Sequence, residues 1–195
     1  MKKRKLLVTL LILSLLLIAG AAGTVAYFTT EGRATNVITT GTVQLALDER
    51  MLVEAGGELT EQPYPDKILT GVLPGNRVSK IPYVINTGDE PFYARVRVDI
   101  SILSADGRTP LPPAPVSTDL CDGWTEKNGW LYLEESLAPD ERQAPFTVVC
   151  FDPAMGNEYQ NCTVTVDVIA QAVQVKNNPI PAGGSVTDVP GWPEA

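Results

Sequence analysis

The stretch that decides the fold is FYARVRVDISIL, residues 92–103. Its residues fall into two alternating sets. One set is Ala94, Val96, Val98, Ile100 and Ile102, and the other is Tyr93, Arg95, Arg97, Asp99 and Ser101. Because successive side chains of a strand point to opposite faces of a sheet, this period of two predicts a half-buried β-strand. On the polar face, we expect Arg95 and Arg97 to pair with carboxylates across strands rather than to bind a ligand.

Other segments show the same alternation or a composition rich in β-branched and aromatic residues. They are residues 43–47, 78–86, 145–151 and 162–172. Between Trp124 and Tyr132, the dipeptide Asn128-Gly129 predicts a hairpin with a tight primed turn. Because no segment has the spacing of an amphipathic helix, we predict an all-β protein, built as an antiparallel β-sandwich.

The remaining segments are predicted to be loops and a tail. Residues 50–70 and 105–120 are polar or rich in proline, and we expect both to be surface loops. The folded domain is predicted to span residues 27–175. Residues 176–195 form a Pro/Gly-rich C-terminal tail, which we expect to be mostly unpacked, with Trp192 as the side chain that docks.

Residues 1–26 have the composition of an export signal, or signal peptide. Four basic residues at positions 2–5 precede an uncharged run that ends in small residues. The small side chains of Thr24 and Ala26 fit a signal peptidase, which places the cleavage between Ala26 and Tyr27. The alternative is an uncleaved anchor, because the run is long enough to span a bilayer. In both cases we expect a secreted or surface location, with membrane contact only through this segment.

The composition excludes several classes of site. The chain has no histidine, so it cannot build a Ser-His-Asp triad or a His-based zinc site. Residues 1–26 hold four of the 15 Lys+Arg and none of the 23 Asp+Glu, so the remaining chain has a formal net charge of −12. This charge argues against nucleic acid as a partner. We therefore expect no catalytic residues, no cofactor and no metal, and hence not an enzyme.

Two groups of residues admit both a structural and a functional interpretation. The cysteines, Cys121, Cys150 and Cys162, either include one disulfide or are three semi-buried thiols. Trp124, Trp130 and Tyr132 either form a sugar-stacking platform or pack the hairpin against the sheet, and packing is the favoured interpretation.

These motifs, in their order along the chain, resemble the TasA/camelysin family of Gram-positive bacteria. The resemblance starts at residues 23–47, where the small-residue end of the signal precedes a pattern carried by Asn36, Ile38, Gly41, Val43 and Leu45. It continues through LPGN at 73–76, VINTG at 84–88, FYARVRV at 92–98, the hairpin at 124–132, LAPD at 137–140 and AQAVQ at 170–174. The resemblance implies a jelly-roll-like sandwich and export through a SipW-type signal peptidase.

The resemblance also implies a structural role in the extracellular matrix or on the cell or spore surface, through self-association or binding to other matrix proteins. Family members form biofilm fibres in which a freed N-terminal segment adds as a strand to the next subunit. Here that donor strand is Tyr27, Phe28, Thr29 and Thr30. One alternative is a camelysin-like extracellular metallopeptidase, which the absence of histidine disfavours. The other is a monomeric surface binding module, which would not self-assemble.

Overall fold

The computed structural model describes residues 36–37, 43–65 and 74–193. In this part of the chain the regular elements are β-strands and short 3₁₀ turns, with no α-helix, so the predicted all-β class is confirmed. None of the described residues belongs to a helix long and apolar enough to cross a membrane. The predicted cleavage site at Ala26 and Tyr27 and the predicted donor strand, Tyr27, Phe28, Thr29 and Thr30, lie outside the described residues.

The described strands form three sheets. In chain order the strands are β1 (Asn36–Val37), β2 (Leu45–Ala55), β3 (Glu58–Pro63), β4 (Arg77–Ser79), β5 (Ile81–Asn86), β6 (Phe92–Leu103), β7 (Pro110–Leu111), β8 (Val116–Thr118), β9 (Trp124–Lys127), β10 (Trp130–Leu133), β11 (Arg142–Gln143), β12 (Val148–Phe151) and β13 (Thr163–Gln174). The largest sheet has the order β1-β13-β6-β10-β9, and β7 also pairs with β6. The second sheet is β11-β5-β2-β3 and the third is β4-β12-β8. The 3₁₀ turns span Asn157–Tyr159, Val175–Asn177 and Val186–Asp188.

The long strands β6 and β13 form the centre of the largest sheet. They pair antiparallel along their whole length, from Phe92 opposite Gln174 to Leu103 opposite Thr163. β6 coincides with the predicted strand at 92–103, and Ala94, Val96 and Ile102 enter the main core as the alternation predicts. The prediction of a half-buried strand is wrong for Tyr93 and Arg95, which are buried on the other face. The period of two therefore identified both this strand and its core-facing side.

The main core gathers side chains from all three sheets. Leu45 and Val84 come from the second sheet, Val149 and Phe151 from the third, and the inward residues of β6 and β13 from the first. Complete burial of one large apolar side chain contributes about 1.5–3 kcal/mol relative to exposure, so this shared cluster is what holds the sheets together.

The predicted strand at 78–86 is divided between two sheets. β4 ends at Ser79 in the third sheet and β5 begins at Ile81 in the second, with Lys80 between them. The Lys80 side chain is buried, its ammonium lies 2.7 Å from a Glu49 carboxylate oxygen, and it stacks 4.2 Å from the Tyr64 ring centroid. Burial of a charge requires such a partner, so removal of Glu49 would leave the Lys80 ammonium uncompensated at the crossing point.

The prediction of a surface loop at 50–70 is wrong for residues 50–63. Here β2 and β3 form a hairpin whose turn is Gly56-Gly57, with φ angles of +65° and +87°. Two glycines with positive φ suit a primed turn, whose twist matches that of paired strands. All six residues of β3 are exposed, including Leu59 at 68%. The predicted loop at 105–120 likewise contains the short strands β7 and β8.

Candidate functional site

The largest sheet has a second buried face, opposite the main core. We call it the aromatic face; its members are Tyr93, Arg95, Trp130, Tyr132, Gln171 and Val173. The C-terminal segment, residues 185–193, covers it and buries Val186 and Val189 there, with Trp192 packed beside them. The docking of Trp192 agrees with our expectation. The expectation of an otherwise unpacked tail is wrong for Val186 and Val189, because the aromatic face supplies an apolar surface that the sequence does not display.

Arg95 is the centre of this contact. Its guanidinium Cζ lies 4.1 Å from the Trp130 ring centroid and 4.9 Å from that of Trp192, so the cation is stacked between two indoles. Its Nη2 donates a 2.6 Å hydrogen bond to the Pro193 carbonyl oxygen. Such cation–π contacts contribute about 2 kcal/mol when the cation is shielded from water. Arg95, which is 7% exposed, therefore fastens the C-terminal segment to the sheet.

The predicted cross-strand pairing of the arginines with carboxylates is wrong. Within the described residues, Arg95 has only neutral acceptors: besides Pro193, it donates to the Gln171 side chain at 2.8 Å and the Tyr132 hydroxyl at 3.2 Å. Arg97 pairs at 3.1 Å with Asp99, two residues along the same strand. The C-terminal segment explains the difference, since it excludes water and carboxylates from Arg95 but not from Arg97.

A second anchor lies at the end of β9. The Lys127 ammonium contacts an Asp188 carboxylate oxygen at 2.8 Å and the Thr187 hydroxyl at 2.9 Å. The hydrogen bond from Lys127, together with one from the Ser185 backbone N–H, lowers the pKa of Asp188 to about 2. Ser185 and Asp188 also form a capping box on the 3₁₀ turn Val186–Asp188, which orders the segment before it reaches Trp192.

The connector, residues 176–184, joins β13 to the C-terminal segment. It is exposed apart from the half-buried Asn178, whose amide donates to the Gln174 carbonyl at 2.8 Å. A turn closes its far end, where the Gly184 N–H donates to the Pro181 carbonyl at 2.9 Å. The C-terminal segment is thus held on the aromatic face by several contacts, whereas the connector that leads to it makes few.

The outer edge of β13 is the second feature of interest. On this side β1 pairs parallel with β13, with Asn36 opposite Ala170 and Val37 opposite Gln171. Of the residues that the structure describes, none pairs with residues 163–169 on the side away from β6. A strand edge with unpaired backbone groups is a template for another strand.

The cysteines do not form a disulfide. Cys121, Cys150 and Cys162 are all half-buried free thiols, which confirms the interpretation as semi-buried side chains. Burial, followed by the nearby carboxylates Asp119 and Asp122, raises the pKa of Cys121, and burial also raises the pKa of Cys162. A raised pKa disfavours the thiolate, so these two thiols are not activated nucleophiles. Among the described residues, no three Asp, Glu or Cys side chains cluster as metal ligands would.

The hairpin aromatics pack, as the favoured interpretation predicted. β9 and β10 pair around Asn128-Gly129, and Trp124, only 4% exposed, enters the main core. Trp130 and Tyr132 lie in the aromatic face, so the trio presents no exposed platform. The sequence interpretation missed Gln171 and the burial of Arg95. The one sequence signal for this contact was Trp192, because a large apolar side chain stands out in a segment that has few apolar residues.

Comparisons with known proteins add no family or relative: no family model, no curated protein and no solved structure matches this chain.

Proposed function

We propose that this chain is an exported structural protein of the extracellular matrix or of the cell or spore surface, of the TasA/camelysin type. In this proposal it folds as a jelly-roll-like sandwich and is a fibre subunit that assembles by addition of an N-terminal strand. Supporting features are the signal-like residues 1–26, the acidic remainder of the chain and the motif order given above. A SipW-type signal peptidase would release the donor strand by cutting before Tyr27.

The observation that carries the proposal is the edge of β13. β1 sets a parallel register there, with Asn36 opposite Ala170. Below Ala170, residues 163–169 of β13 have no partner among the described residues on this side. A segment such as residues 27–35 of a neighbouring copy would be long enough to cover this edge. Its backbone groups would complete the hydrogen bonds that the edge leaves open.

The composition of this edge supports strand addition. Residues 163–169, TVTVDVI, consist of β-branched residues with a single charge, Asp167. Natural proteins protect edges that must stay unpaired with lysines, prolines or bulges, and the edge has neither lysine nor proline. By the same reasoning β3 is not a site for strand addition, because its Glu58, Glu61 and Pro63 oppose pairing with a second acidic chain.

The test compares three forms of the chain beginning at Tyr27: the full form, a deletion of residues 27–36, and a form with residues 27–35 replaced by a Gly/Ser stretch of equal length. We expect polymers in the full form and monomers in the other two, seen by size-exclusion chromatography and electron microscopy. The Gly/Ser form separates the loss of chain length from the loss of β-forming side chains. Polymerisation of the deleted form would refute strand addition.

The two alternatives give different results in the same material. A metallopeptidase would cleave casein when zinc is supplied, and the activity would vanish on substitution of its own carboxylates. A monomeric binding module would remain monomeric in the full form at every concentration. We expect neither result.

A further inference from the structure

We propose that the free subunit closes the open edge of β13 with its own N-terminal segment, residues 27–35, and that Arg33 of this segment pairs with Asp167. The closure concerns the subunit before assembly and goes beyond the proposed function. Its consequence for assembly rests on the proposed function: strand addition is then an exchange, in which the segment leaves its own edge for that of a neighbouring copy.

The parallel pairing of β1 with β13 is the first argument. Asn36 lies opposite Ala170 of the same chain. Three positions before this pair, the two strands carry Arg33 and Asp167, so continued pairing in the same register sets these two residues side by side. Residues 27–35 contain no proline, and each of them can therefore donate a backbone hydrogen bond to a neighbouring strand.

The charge of Asp167 is the second argument. Asp167 is exposed and lies directly opposite Asp99 of β6. Asp99 pairs with Arg97 at 3.1 Å, whereas the Asp167 carboxylate has no ion pair or hydrogen bond with any residue that the structure describes. Like charges directly opposite each other on neighbouring strands are destabilising. A cation on the far side of Asp167 relieves this repulsion.

Arg33 is the cation that fits this position. It is the only Lys or Arg in residues 27–35. Residues 33 and 37 share one face of an extended strand, and Val37 is opposite Gln171, which shares its face with Asp167. The register and the alternation therefore bring Arg33 to Asp167 on the same face of the sheet.

The occupant of the edge in the free subunit is the chain's own segment rather than that of a second copy. The segment is joined directly to β1, which is already paired with β13, so its local concentration at the edge exceeds that of any other copy in dilute solution. Closure also protects the edge from premature pairing, a liability that natural proteins manage explicitly.

Hydrogen exchange followed residue by residue tests the closure. The sample is the dilute monomer of the chain beginning at Tyr27, and the reference is the form that lacks residues 27–35. Every second N–H of residues 163–169 points away from β6. Closure predicts slow exchange of these groups in the full form and loss of the protection in the deleted form.

The outcomes separate this inference from the proposed function. Fast exchange in the monomer, with protection only in the polymer, overturns closure and leaves the proposed function intact. Protection in the monomer with no polymer at any concentration supports closure and refutes the proposed function. Fast exchange in both the monomer and a polymer overturns closure and also strand addition at this edge.

A double-mutant cycle in the same monomer tests the ion pair. Arg33→Gln, Asp167→Asn and the double variant are compared with the native chain. An exposed ion pair predicts that their unfolding equilibrium constants depart from additivity by roughly twofold to fivefold. In the control cycle Glu31→Gln replaces Arg33→Gln, because Glu31 lies in the same segment with the opposite charge, and it should show no attraction to Asp167. Additivity in the first cycle, or equal coupling in both, overturns the pairing of Arg33 with Asp167.

Discussion

The Arg95 Nε donates a 2.8 Å hydrogen bond to Oε1 of Gln171, whose own backbone lies opposite Val37 of β1. The same guanidinium holds the Pro193 carbonyl. One buried side chain therefore joins the C-terminal segment to the part of β13 where the N-terminal strand pairs. β1, the first strand that the structure describes, and the C-terminal segment thus contact the same sheet.

Substitution of Arg95 should release the C-terminal segment. Arg95→Lys retains the charge but loses the planar fork that stacks between Trp130 and Trp192 while donating to three acceptors. We expect a loss of about 2–4 kcal/mol in the free energy of unfolding. Hydrogen exchange should increase across residues 185–193. Arg97→Lys is the matched control, because Arg97 is half-exposed, pairs with Asp99 and lies 5.3 Å from the Trp130 ring centroid, farther than Arg95. It should cost much less than Arg95→Lys, and equal effects of the two variants would contradict the role of Arg95.

Asn86 should be among the most sensitive polar positions. It is 0% exposed, its amide donates to the carbonyls of Leu137 and Glu90, and its Oδ1 accepts from the Gly88 N–H, each at 3.0 Å. Asn86→Ala leaves the Glu90 carbonyl and the Gly88 N–H without this partner, whereas the Leu137 carbonyl keeps its hydrogen bond from the Phe92 N–H. We expect a loss of about 2–4 kcal/mol on chemical denaturation. Thr87→Ala, at the exposed neighbouring residue, should cost much less. If Asn86→Ala left the free energy of unfolding unchanged, the prediction would be wrong, and water would have to replace the side-chain amide.

Asp119 should make stability depend on pH. Burial alone raises its pKa, but hydrogen bonds from the Thr147 and Val148 N–H groups and the Thr147 hydroxyl outweigh burial and lower it. The resulting stabilisation is present above the unfolded-state pKa of 3.8 and is lost as the pH falls through the folded value. The stability difference between the native chain and Asp119→Asn should thus shrink below pH 3.8. A difference that stays constant with pH would contradict this.

The three cysteines should all titrate as free thiols. In denaturant without reductant, a thiol reagent should count Cys121, Cys150 and Cys162 in every molecule. In the folded protein, alkylation of Cys121 should be slow at neutral pH because its raised pKa limits the thiolate. A deficit of thiols in the denatured protein would reveal a disulfide and contradict the structure.

The signal should be removed after Ala26. N-terminal sequencing of secreted protein should begin at Tyr27, because the small residues before it fit a signal peptidase. Recovery of the full-length chain in membranes alone would instead support the uncleaved anchor. The anchored form would also lack the free N-terminus that strand addition requires.

Features set by residues close together in the sequence were predictable, whereas contacts between distant residues were not. The strand at 92–103 and the turn at Asn128-Gly129 were predictable, since alternation and turn chemistry are local properties. The Gly56-Gly57 hairpin carried the same kind of local signal, yet its polar strands led us to predict a loop. β3 forms although it buries nothing, because backbone pairing with β2 and the glycine turn suffice.

The candidate site was predictable only in its parts. The sequence names the Arg95 cation, the hairpin aromatics Trp130 and Tyr132, and Trp192 as a docking side chain. Nothing in the sequence places Pro193 against Arg95. That contact joins residues 98 positions apart. Its formation depends on how β6, β10 and β13 align, which no local pattern encodes.

The sequence by itself determined the strand class, the tight turns, the acidic charge and the absence of histidine chemistry, because each follows from residue type and spacing. The tertiary structure alone decided that Lys80 marks a crossing between sheets, that the second face of the largest sheet is buried around Arg95, and that Arg95 is a buried contact rather than a surface charge. These outcomes depend on which distant segments exclude water from a residue, and that is a property of the assembled sheets rather than of any one strand.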